Sequence, residues 1–243
     1  MSLTAILGRA PVHTVDDAVA LMTAIDELLP DSDGVKWFNR LYLRVTVNVR
    51  AAIGGAAFND VPFLTLLDVV FANLYFSALA AASVDVAAAP SAWRPLFLAR
   101  NTAGIARIQF ALAGMNAHIN RDLPDGIVQS FKALGGDPIV DTVREQDFVS
   151  VNDILERVEE DVKTEFTLGL VGTIDRLGGP VDDAIAMWKV RAARSTAWTN
   201  AQVLWGLRGM PPLRDRFFSK LDSLVGMTGR SLLVLRDPSG HLA

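Results

Sequence analysis

The chain has no cysteine, and that absence excludes a disulfide framework, thiolate catalysis and every cysteine-ligated metal site. Histidine is scarce as well. Of three in 243 residues, His13 and His241 sit near the ends in punctuated sequence, which leaves His118 alone in mid-chain. No H-E-x-x-H or E-x-x-H spacing occurs, so zincin and di-iron chemistry is excluded. Also missing are a G-x-S-x-G elbow, a glycine-rich phosphate loop and a dinucleotide fingerprint; "IGGAAF" and "LGGDP" hold glycine pairs that read as turns. The 23 basic residues form no run that would track a phosphate backbone, and 27 acidic ones bring the formal charge to -4, so nucleic acid is not an expected partner. The opening "MSLTAILGRAPVHTVDDAV" lacks the features of a secretory signal, and a cytoplasmic location is the expectation.

What the chain has in quantity is apolar surface. At 51% hydrophobic residues it can enclose a sizeable core. The longest apolar stretch, Val61 to Ala82, has the length of a membrane span but carries Asp68 and Asn73 inside it, so it reads as the central helix of a bundle. Apolar residues recur at spacings of three and four over Val15–Leu29 and Val35–Ile53, from about Pro62, and over Thr102–Leu123, with a stop at Pro124. The pattern resumes at Ser150, where Asp153 three residues on suggests a capping box, and runs to about Leu177. Val181–Leu207 and Leu213–Leu235 complete it. Residues 133–149, with Gly, Pro and Asp punctuation, read as an irregular excursion or small lid. A short strand is conceivable only in "RSLLVLRD". The expected fold is all-α: one domain over 1–243, with about seven or eight helices around a buried central helix.

The densest chemistry lies in "LAGMNAHINRDLP", Leu112 to Pro124. Ile105, Ile108, Leu112, Met115 and Ile119 form one apolar stripe, while Phe110, Ala113 and Ala117 make the opposite side apolar too, as in a helix enclosed by neighbours. His118 and Asp122 fall one turn apart along one edge, beside the small Ala111 and Gly114; Gln109, Asn116 and Asn120 line the other edge. Each buried polar group costs about 1–3 kcal/mol if unpaired, so the cluster needs either a solvated pocket or a closed interhelical network. A pocket is the favoured reading, because four polar residues in seven exceed what one bracket requires.

Other helices offer partners. Asp68, isolated in apolar sequence, needs a cation, a metal or a proton; the competing reading is a salt bridge to Arg44 or Arg50. Glu165 falls at an inward position of its helix, with a solvated edge as the competing reading. Arg191, Arg194, Trp198 and Trp205 share a face that is either an anion clamp or a packed ridge. A divalent metal, if one is held, would use His118, Asp122 and Asp68, since H-x-x-x-D resembles a fragment of the zinc-dependent phospholipase C and nuclease fold.

Through "WFNRLYLRVT", "FLTLLDVVFANLYF", "FALAGMNAHINRDLP" and "VNDILERVEEDV", the chain resembles a bacterial family of uncharacterised all-helical proteins, a domain-of-unknown-function group. The resemblance covers most of the length and implies a single helical domain. It carries over no catalytic role.

Two functions follow as expectations. One is an enzyme that hydrolyses, isomerises or cyclises a small, largely apolar molecule, with His118 as general acid or base held by Asp122, Asp68 supplying charge or a proton, and Asn116, Asn120, Asn73, Arg194 and Trp198 contacting substrate. The other is a ligand-binding or assembly module in which the same residues secure packing. No redox cofactor is expected, and a homodimer is a plausible assembly. An open cavity joining His118 to solvent would favour the first function, and a closed network the second.

Overall fold

The computed structural model describes residues 2–55, 58–168 and 190–234, with the backbone alone over 159–168. Among these it contains helices and turns only. The segments are α1 (Leu3–Leu7), α2 (Val15–Leu28), α3 (Gly34–Ile53), α4 (Val61–Val84), α5 (Arg94–Ala99), α6 (Arg107–Ala117), α7 (Leu123–Leu134), α8 (Thr142–Leu168), α9 (Val190–Gly206) and α10 (Pro211–Leu232). Setting aside the five-residue α1 and six-residue α5, the long segments match the expected seven or eight, and the fold is an all-α multi-helix bundle.

The helices begin where the sequence supplies caps. Thr14, Asp33 and Asp60 each accept a bond from a backbone N–H in the first turn of the helix that follows. The buried carboxylate of Asp147 on α8 gathers the N–H groups of Asn59 and Asp60 and fixes the entry to α4. Arg100 holds Asp33 at the head of α3 through two of its nitrogens.

The central rod is longer than the sequence suggests. α6 runs through a widened turn of i→i+5 bonding, His118–Asp122, directly into α7. Pro124 therefore does not end the helix. The Leu123 N–H reaches back to the His118 carbonyl, and the proline follows in the first turn of α7, where a missing donor and a fixed φ are tolerated. Around this rod, α3 and α10 pack on α6, while α4 and α9 pack on α7. α2 lies on α3, and α8 touches α3, α4 and α9.

Two glycines bring α3 against α6. A Cβ on Gly114 would stand 2.3 Å from the Phe38 ring, and one on Gly34 would stand 2.4 Å from Phe110, so each helix receives a phenyl ring from the other. α4 is long and apolar enough to cross a membrane by length and composition, and 56% of its most apolar window is buried against these neighbours.

Two further expectations are corrected. The excursion is shorter than 133–149: Gly135 and Gly136, at φ 78° and 96°, end α7, and α8 has already begun at Thr142. Ser150 lies inside α8 with its hydroxyl donated to the Gln146 carbonyl, so it caps nothing. The expected helix end near Leu177, the start at Val181, the Glu165 side chain, His241 and the end of "RSLLVLRD" lie outside the described residues.

Candidate functional site

His118 and Asp122 meet in the widened turn, as their spacing requires. Nδ1 of His118 stands 3.2 Å from Asp122 Oδ2, and both side chains are enclosed, at 1% and 0% exposure. Asp122 is fully engaged. Its Oδ2 also accepts from the Trp93 indole at 2.9 Å, and its Oδ1 accepts from Arg121 Nη1 at 2.7 Å. Arg121 in turn lies 3.5 Å from Asp222 on α10 and over the Phe218 ring, and Asp222 accepts the N–H groups of Ser91 and Ala92. One carboxylate thus ties the rod to the turn before α5, and through Arg121 to α10.

The imidazole sits in an aromatic cage. It stacks on Phe71 with centroids 3.4 Å apart and planes 6° from parallel; Tyr42 meets it edge-on at 4.4 Å, with Phe38, Trp93 and Tyr75 beyond. Burial in this cage lowers its pKa against the opposing pull of Asp122, so the ring is neutral at pH 7. With Nδ1–H donated to Asp122, Nε2 is left as a buried acceptor without a partner.

Asp68 lies one turn before Phe71 on α4 and opens a different setting. It lines a cavity of about 50 Å³ together with Tyr42, Val45 and Val49 of α3, Leu64, Leu67 and Phe71 of α4, Leu123 of α7, Val151 and Leu155 of α8, and Arg194 of α9. His118 is behind this wall, separated from it by Phe71 and Tyr42. The carboxyl Oδ2 of Asp68 is enclosed and unpartnered. The alternative of an ion pair with Arg50 does not form, because Arg50 binds Asp16 at 2.7 Å. Desolvation, with no cation paired to it among the described residues, pushes the Asp68 carboxyl up to about 7. The hydroxyls of Tyr42 and, one turn on, Thr46 are buried with only each other at hand, and burial, with the Asp68 charge as a lesser cause, holds the Tyr42 phenol well above its usual range.

A model of a family of unknown function matches residues 15–235 of the chain, a span that contains every residue of the network and the cavity. The chain belongs to that family, DUF5995. No curated protein and no solved structure matches it. For this DUF5995 member, the geometry of its own residues therefore carries the functional argument.

The remaining candidates are dispersed. Asn116 donates to the Val225 carbonyl and Asn120 to Asn116 Oδ1, while Gln109 donates to the Leu232 carbonyl, so the second polar edge of the rod brackets α10. Asn73 pairs with both the N–H and the carbonyl of Val12, each at 2.8 Å, and pins the segment before α2. Trp198 packs among Phe63, Phe131 and Phe148; Trp205 meets Phe131. Arg191 points outward to Asp153 and Glu156 on α8. Only Arg194, of that face, reaches the cavity wall.

Among the described residues no group of three His, Asp or Glu side chains is placed to hold a metal ion. His118 and Asp122 do lie together, but both Asp122 oxygens face N–H donors, one of them a guanidinium, and that donor set repels a cation. Sequence reasoning missed Tyr42, Phe71, Trp93 and Arg121. Arg121 stood inside the quoted motif next to Asp122 and was legible as its counter-charge; the other three are aromatic residues indistinguishable in sequence from ordinary core.

Proposed function

We propose that this protein is an enzyme that binds a small, largely apolar molecule in the cavity between α3, α4, α8 and α9, and that Asp68, rather than His118, exchanges the proton. One observation carries this reading. Two side chains on the cavity wall bury polar atoms that the described residues leave without a partner outside the Tyr42–Thr46 pair: Asp68, through Oδ2, and Tyr42, through its hydroxyl. Unpaired buried polar atoms are costly and rare in native cores, and their concentration beside a cavity is expected where a ligand's polar groups complete the set.

The chemistry follows from the surroundings. A carboxyl titrating near 7 is present in both forms at neutral pH, so it can take a proton from one atom of a bound molecule and return it to another. The Tyr42 phenol stays protonated and is a donor for a substrate oxygen. Among hydrolysis, isomerisation and cyclisation, isomerisation by proton abstraction and return asks least of this site, because one carboxyl serves both steps and no water need be activated. The cavity has room for about four water-sized groups, which suits a short molecule or the end of a longer one.

The test is deuterium incorporation, followed by proton NMR in D₂O, into short enolisable ketones, keto acids and β,γ-unsaturated carbonyl compounds. Exchange that is lost in Asp68→Asn and kept in Asn73→Ser, whose side chain pairs with the Val12 backbone away from the cavity wall, supports the proposal. Exchange at the native rate in Asp68→Asn sinks it. Binding without exchange across the panel favours the second reading, a ligand-binding module, whose own support is the closed state of the His118–Asp122 network.

A further inference from the structure

Arg194 is the second charged side chain on the cavity wall, and its environment is unusual for a guanidinium. It is 7% exposed. Nε donates to Asn152 Oδ1 at 2.8 Å, Nη2 donates to the Phe148 carbonyl at 2.7 Å, and the planar group lies 4.0 Å over the Phe148 ring. All three neighbours are neutral. No carboxylate pairs with Arg194 among the described residues, and Asp68, on the same wall, is not its ion-pair partner. Elsewhere in the bundle the enclosed arginines carry such partners: Arg100 has Asp33, Arg121 has Asp122, Arg144 has Asp60.

A buried cation without a counter-charge is expensive, and burial here lowers the Arg194 pKa to about 9. The Asn152 and Phe148 contacts use Nε and Nη2, which fixes the fork's orientation and leaves Nη1 with no protein acceptor among the described residues. Apart from these two charged groups and the Tyr42 hydroxyl, the cavity wall is aliphatic and aromatic, with Val45, Val49, Leu67, Phe71, Val151 and Leu155 among its side chains.

We infer that the cavity takes a small carboxylate with an apolar body, its carboxylate held by Arg194 and its body laid along these aliphatic side chains toward Asp68. The inference rests on the reading that Asp68 is the reacting group, because that reading fixes which end of the ligand is left for chemistry. The substrate class is then a short keto or unsaturated acid, anchored at one end and exchanging a proton at the other. A neutral molecule would leave the Arg194 charge uncompensated, and an amine would add a second cation beside it.

Ligand-observed NMR titration of the full chain with hexanoate, 1-hexanol and hexylamine tests the anchor. Hexanoate is expected to bind at least about tenfold more tightly than hexanol, as a charge-assisted pair at an enclosed site implies. In Arg194→Gln that preference should fall to about one while hexanol binding is kept, a ratio taken within one variant and so independent of its stability. Val45→Phe, at the half-buried rim, leaves both charged groups in place and is expected to abolish hexanoate binding even if Arg194→Gln fails to fold. Equal binding of hexanol and hexanoate, tighter binding of hexylamine, or hexanoate binding undiminished by Val45→Phe would each overturn the carboxylate anchor. Those outcomes leave Asp68-dependent deuterium exchange standing, whereas loss of that exchange dependence with hexanoate still preferred would remove the catalytic reading and keep the anchor.

Discussion

Two carboxylates of the polar cluster, the fully buried Asp122 and the half-buried Asp68 with its enclosed Oδ2, meet opposite fates. Asp122 receives three N–H donors, from Trp93, His118 and Arg121, and holds several elements together. Among the described residues Asp68 receives no cation, keeps an unpartnered oxygen and faces a cavity. The contrast separates a structural centre from a reactive one within a single polar cluster. A carboxylate with donors on both oxygens is held in one position, whereas one enclosed without compensation retains its proton affinity, the property that acid–base chemistry uses.

The largest effect that would break the contrast is expected from Asp122→Ala. It strands the Trp93 and His118 N–H groups and leaves the Arg121 charge short of its closest partner, and should cost about 3–5 kcal/mol in urea unfolding. A loss below about 1 kcal/mol would show that the network is not what ties the rod to α5 and α10.

Asp68→Asn should move stability the other way. An acid whose folded pKa is raised to about 7 binds more protons folded than unfolded between about pH 4 and 7, so native stability is lost as pH rises through that window and stays lost above it. The variant, which cannot ionise, should match the native protein near pH 4 and exceed it by about 4 kcal/mol at pH 8. A difference independent of pH would mean that Asp68 is compensated and would weaken its assigned role.

Gly114→Ala sharpens the picture from the packing side. With Phe38 2.3 Å from the new Cβ, and Phe38 itself against His118, the ring must move; about 2 kcal/mol of destabilisation is expected from thermal melts, together with a disturbed His118 resonance. His118 carries the opposite pH sign to Asp68. Its pKa is lowered by burial, so stability should fall as pH drops below the ordinary histidine range, where the unfolded chain takes up a proton that the folded ring refuses. His118→Gln should blunt that acid limb. Arg191→Ala, at an exposed ion pair with Asp153 and Glu156, should leave the melting midpoint unmoved and serves as the control for charge removal away from both centres.

These particular residues show how far the sequence could be read. The helix over Val15–Leu28 and the pairing of His118 with Asp122 were both legible, because each depends on spacing along one segment. Pro124 was misread, since the widened turn that accommodates it is set by backbone hydrogen bonds a residue pattern does not display. Asn73, Asn116 and Asn120 were recognised as polar groups in apolar helices. Asn120 bonds to Asn116 one turn away, but the partners of Asn73 and Asn116, the Val12 backbone and the Val225 carbonyl, are 61 and 109 residues away, and nothing in the local sequence identifies them.

By itself the sequence determined the helical class, the most apolar helix, and the fact that one motif concentrates polar side chains where burial would make them costly. These are local matters of periodicity, capping and composition. Tertiary structure alone decided that Asp122 is saturated while Asp68 is not, that Arg194 shares a wall with Asp68, and that Phe71 and Tyr42 stand between His118 and the cavity. Whether a buried carboxylate is a brace or a base depends on which donors arrive from other helices, and that is a property of packing in three dimensions rather than of order along the chain.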